Sequence, residues 1–111
     1  MPPRLRVLTP ADLTAATEAE DLRALTKHFM AVLEQRAPGH SVEVRVPPYA
    51  AVQVVPGIRH TRGTPPAVVE MDAETWIALA TGVLAWSDAE ESGRVRASGE
   101  RADLSAYLPL T

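Results

Sequence analysis

The chain has no cysteine and no asparagine, a single lysine and only five aromatic side chains among 111 residues. Without cysteine, a disulfide scaffold, a thiolate metal site and a cysteine nucleophile are all excluded. No apolar run approaches the ~18 residues that a membrane span needs, so no stable membrane insertion is expected. Met1-Pro2-Pro3-Arg4-Leu5-Arg6 leads into no long apolar stretch, which predicts no secretory signal and a soluble, cytoplasmic chain. A positive excess is also missing. Eleven basic residues stand against 14 acidic ones, a net charge of −3, and the basic footprint that nucleic acid requires is absent. Every basic residue but Lys27 is arginine, a compositional bias that weakens any one arginine as a sign of anion recognition.

What is present is apolar content, 46% of the chain, punctuated by ten prolines. A chain of this length is expected to build one domain with one core. Residues 1–16 read as an N-terminal segment, frayed or opening a short helix at Thr9-Pro10, and residues 17–111 as a single domain. Thr17-Glu18-Ala19-Glu20 has the spacing of a capping box, and Leu22, Leu25, Phe29, Val32 and Leu33 then share one helical face until Pro38-Gly39. The period next changes to two. Val42, Val44 and Val46 alternate with Glu43 and Arg45, and strands are also expected over 50–55, 58–61, 67–71 and 94–98.

Asp72 is placed to cap a helix closed by Gly82, with Trp76, Ile77, Leu79 and Ala80 on a broad apolar arc. Ser87-Asp88-Ala89-Glu90 resembles a second capping box before Gly93, and Leu104, Tyr107 and Leu108 suit a terminal helical turn. The order predicts an α+β fold: roughly five strands in a mainly antiparallel sheet, with helices on one face. Val95 and Ala97 would then face inward, while Glu43, Arg45, Glu70, Arg94 and Arg96 project from the open face.

Conventional catalytic signatures are missing, and no enzymatic activity, cofactor or metal is expected. No two of His28, His40 and His60 have the spacing of a helical metal pair. His28 falls at a polar angle of its helix and His40 in a turn, so both read as solvated. Two features stand above this background. Large apolar side chains are concentrated late in the chain, where tryptophan and tyrosine suit the wall of an apolar site. Arg59-His60-Thr61-Arg62-Gly63-Thr64 places two guanidinium groups and an imidazole in a glycine-containing bend that suits an oxyanion.

Residues 67–82, followed by Trp86-Ser87-Asp88-Ala89 and residues 92–100, resemble the sterol-carrier-protein superfamily. Asp72, Leu79, Gly82, Ala89, Gly93, Val95 and Gly99 match that family's pattern in order. Residues 38–48 and 60–66 are similar to its small bacterial branch, found as a stand-alone domain. The resemblance implies about five strands with helices on one side, and an apolar tunnel between the layers for a fatty-acyl, acyl-CoA or sterol-like ligand. The expected apolar wall is Phe29, Trp76, Ile77, Leu84, Trp86, Leu104 and Tyr107, with Arg59, His60 and Arg62 at a polar mouth. The alternative reading is a module without a cavity that acts through its open sheet face, as a homodimer or with a protein partner.

Overall fold

The computed structural model describes residues 5–57, 67–99 and 102–111. The N-terminal segment is helical: α1 spans Pro10–Glu18, with proline in the first turn and the Thr9 hydroxyl accepting from the Asp12 amide. α1 therefore runs through residue 17, where the domain was expected to begin. Thr17 is not a cap. Its hydroxyl donates to the Leu13 carbonyl inside α1, and Asp21 instead caps α2, Leu22–Arg36, by accepting from the Ala24 amide. Between the helices the Glu20 amide donates to the Thr17 carbonyl and the Asp21 amide to the Ala16 carbonyl, a Schellman turn. That turn needs a left-handed residue, and Glu20 supplies it with φ of 51°. A side chain there is strained, so Glu20→Gly is expected to stabilise the protein by about 1 kcal/mol, read as a higher urea midpoint.

Four described strands form one mixed sheet in the order β2-β1-β3-β4, with β1 at Val42–Val46, β2 at Ala50–Val54, β3 at Ala67–Met71 and β4 at Val95–Ser98. The β1–β2 and β3–β4 pairs are antiparallel, but β1 and β3 are parallel, a correction to the mainly antiparallel sheet expected. The register explains it. Val54 and Ala67 both lie beside Val42, so β2 ends and β3 begins at the same end of β1, on its opposite sides. β3 thereby runs against β2 and along β1. The expected strand at 58–61 lies outside the described residues.

Alternation sends Val42, Val44, Val46, Val52, Val54, Val69, Met71 and Val95 into the core, beneath the helices. Ala97 sits opposite Val69 and shares that face, yet it is exposed rather than buried, near the end of β4, which among the described residues has a neighbour on one side only. On the other face Arg45 pairs with Glu43, and Arg96 with Glu70 at 3.1 Å. Such exposed pairs are individually weak. Arg94 departs from this set. It precedes β4, where pleating does not yet dictate direction, and its Nε donates to the Thr75 hydroxyl at 3.2 Å, on the helix side.

α3, Ala73–Thr81, begins at Asp72 and ends at left-handed Gly82, as its sequence predicts. Asp72 accepts from the Thr75 amide at 2.8 Å. Hydrogen bonding from the Thr75 side chain and amide, aided by nearby Arg94, holds the Asp72 carboxyl below the usual carboxylate value. Its stabilisation is complete above the ordinary carboxylate range and fades as pH falls through the lowered folded value. Asp72→Ala is expected to lose about 0.5–2 kcal/mol in urea unfolding at neutral pH.

α4, Trp86–Glu91, has Ala85 at its N-cap, two residues before the expected cap Ser87, and has no side-chain cap. Burial of Trp86 and Ala89 on one face sets its phase, and the Leu84 amide is already committed to the Ala78 carbonyl. The terminal helical turn is a single 3₁₀ turn, Ser105–Tyr107. Beyond it the Leu110 amide donates to the Ala80 carbonyl at 2.7 Å, tying the C-terminal segment to α3.

Candidate functional site

The helix layer carries an apolar groove of about 480 Å³. Its walls come from the α1–α2 corner (Thr17, Glu20, Leu22 and Leu25) and from α3 and the turn after it (Glu74, Ile77, Ala78, Thr81 and Val83). The local sequence explains the shape. Leu22 and Leu25 lie one turn apart on α2, Ile77 and Thr81 one turn apart on α3, so two apolar helix flanks face one space. Gly82 then reverses the chain and leaves Val83 83% exposed beside the groove. Two carboxylates, Glu20 and Glu74, stand among the lining side chains. The volume falls within the ~300–1,000 Å³ usual for small-molecule sites.

A smaller hollow of about 310 Å³ lies at the β1–β2 hairpin, lined by Arg45, Pro47, Pro48, Tyr49, Ala50, Ala51 and Glu70. Its two charged residues are already partnered, Arg45 with Glu43 and Glu70 with Arg96.

Of the expected apolar wall, Ile77 lines the groove. Phe29, Trp76, Trp86 and Leu104 are in the core, none more than 6% exposed. Leu84 and Tyr107 are half-buried and packed against that core. Trp76 and α2 are joined directly, the indole N–H donating to the Thr26 carbonyl at 3.2 Å. Among the described residues, the Trp86 indole N–H and the Thr26 hydroxyl are buried without a hydrogen-bond partner. The polar mouth of Arg59, His60 and Arg62 lies outside the described residues. Periodicity did not single out Leu22, Val83 or the rim residues Glu20 and Glu74 as site residues. Leu22 shows only its place on the apolar face of α2 and Val83 its apolar character, and nothing in the sequence marks Glu20 or Glu74.

His28 corrects its sequence reading. It is 5% exposed, not solvated, and its Nδ1 accepts the Leu8 amide hydrogen at 2.9 Å. The ring meets Phe29 edge-on, with centroids 4.8 Å apart, and burial lowers its pKa. The cause is tertiary: α2 has a second cover, formed by a segment 20 residues earlier in the chain. His40 is exposed, as expected of a turn, with Nδ1 3.0 Å from Gln53 Oε1.

No helix among the described residues is long and apolar enough to cross a membrane. None of the curated proteins compared matches the chain. A family described as "Bacterial SCP ortholog" matches it over residues 18–110, from the α1–α2 corner through the C-terminal segment. This span contains the whole mixed sheet, the helices over it and both flanks of the apolar groove. By that match over most of its length, joined to an α+β fold of the expected kind, the chain belongs to a small bacterial sterol-carrier-protein-like family.

Proposed function

We propose that this protein is a non-catalytic carrier of an apolar small molecule, fatty-acyl or sterol-like, held against the helix layer. The observation that supports it is the groove between α2 and α3, whose apolar flanks are Leu22, Leu25, Ile77, Ala78 and Val83. The family resemblance implies a ligand between sheet and helices. This groove instead opens between two helices, and the core residues Phe29 and Trp76 lie behind it, each adjacent in its helix to a groove-lining turn. Burying ten methylenes would supply roughly 8 kcal/mol at ~0.8 per CH₂ before association costs, so micromolar binding asks for a longer chain or further contacts.

The rim refines the ligand. Glu20 and Glu74 repel a carboxylate or the phosphates of acyl-CoA, so an uncharged head group suits this groove best. A titration with a fluorescent acyl probe tests the reading, followed by displacement with unlabelled monoacylglycerols and fatty acids of graded length. Affinity is expected to rise with chain length, with the neutral series displacing the probe better than the anionic one. Ile77→Glu, in the half-buried wall, is expected to weaken binding tenfold or more while the circular dichroism stays unchanged. A flat response across chain lengths from the folded protein would overturn the carrier reading.

A further inference from the structure

We propose that residues 5–18 form a strap that the neutral His28 ring fastens to α2 and that acid releases, opening the α1 side of the groove. The fastening is a single directional bond. Leu8 N–H donates to Nδ1 at 2.9 Å, so Nδ1 must present a lone pair and the ring proton sits on Nε2. A second proton, on Nδ1, sets donor against donor. The ring is buried and cannot turn to water to accommodate the charge.

The titratable groups on the surrounding elements are Arg6 before α1, Asp12 and Glu18 on α1, Arg23, Lys27, Glu34 and Arg36 on α2, and Glu74 on α3. Among the described residues none forms an ion pair with His28, so no carboxylate compensates an imidazolium there. Burial accordingly holds the ring neutral below its ordinary range, and the contact weakens as pH falls.

The rest of the strap is lightly held. Ala16 is its one fully buried side chain among the described residues, with Leu5, Leu8 and Leu13 half-buried on the core. α1 has nine residues, fewer than the ~12–15 at which an isolated helix becomes even marginal in water, so it depends on docking. Nearly all of it precedes the residues shared with the family. Its last turn and the following corner supply Thr17 and Glu20 to the groove, so release of the strap removes that wall.

Because the chain has no cysteine, two introduced ones report on the strap alone. Spin labels at Thr14→Cys on α1 and Gln35→Cys on α2, both exposed, give one distance distribution. A control pair at Gln35→Cys and Ala51→Cys spans α2 and β2. At about pH 7.5 the strap pair is expected to give one narrow distance, and at about pH 5 a broad, longer distribution, with the control pair unchanged. His28→Asn retains an acceptor oxygen that does not titrate and is expected to stay narrow at both values. Leu8→Pro removes the donor and is expected to be broad at both.

A strap pair that stays narrow in acid overturns the proposal, as does broadening that persists in His28→Asn or a control pair that broadens equally. If His28→Asn does not fold, Leu8→Pro decides: a narrow distribution at neutral pH overturns it. The strap stands apart from the carrier reading, and no ligand enters this measurement.

Discussion

Replacing Trp76 with alanine is expected to cost about 3–5 kcal/mol, a large share of the ~5–15 kcal/mol that holds a domain of this size together. Trp76 is fully buried and the largest of the side chains sealed from solvent. It joins α3 to α2, its indole N–H satisfied by the Thr26 carbonyl at 3.2 Å. Truncation removes the apolar contacts, leaves a cavity and discards that hydrogen bond. The second tryptophan supplies the comparison. Trp86 is almost as buried, but its N–H has no partner among the described residues. A desolvated donor without an acceptor costs roughly 1–3 kcal/mol, which phenylalanine would not incur. Trp76→Phe is therefore expected to destabilise the protein more than Trp86→Phe. Urea unfolding of the three variants, with unchanged m-values, measures the differences.

Gly39→Ala is expected to be about as damaging, for a reason that lies in the backbone. Gly39 has φ of 155°, and a Cβ built there would stand 2.1 Å from the Val55 carbonyl oxygen and 2.4 Å from its carbon. These are main-chain atoms that hold other bonds. The Val55 carbonyl accepts from the Ser41 amide at 3.1 Å, and the Val55 amide donates to the Ala37 carbonyl at 2.6 Å. The end of β2 is thus stitched to the link between α2 and β1, and no flexible side chain is available to yield. Overpacking of about 1–3 kcal/mol and a left-handed penalty of about 1–2 kcal/mol together suggest a loss of roughly 2–5 kcal/mol. Thermal and urea unfolding of Gly39→Ala, set beside the mild Asp72→Ala, checks both the size and the contrast. A Gly39→Ala protein as stable as the unsubstituted chain would show that the link is free to move.

Much of the architecture was legible because short-range patterns express it. The valine alternation at 42–46, the Asp72 cap, the Gly82 stop and the apolar arc of α2 each depend on residues a turn or a strand apart. The helix starts differ from expectation where two local signals compete. Thr17 and Asp21 both offer a cap, and the Schellman turn at Glu20 gives the role to Asp21. Ser87 has the better cap chemistry, but burial of Trp86 starts the helix earlier. The site was less legible. Ile77 was singled out and lines the groove, whereas Phe29, Trp76, Trp86 and Leu104 look the same in sequence and fill the core. An apolar side chain carries no mark that separates a wall from an interior.

By itself, then, the chain determines its elements, its fold class and its family resemblance, since hydrophobic period, caps and glycine stops act over a few residues. Only the tertiary structure decided that β3 lies parallel to β1, that two helix flanks leave a groove, and that Leu8 reaches His28 across 20 residues. Those outcomes depend on which surfaces meet once every element competes for the same core. No window along the chain contains both partners of such a contact.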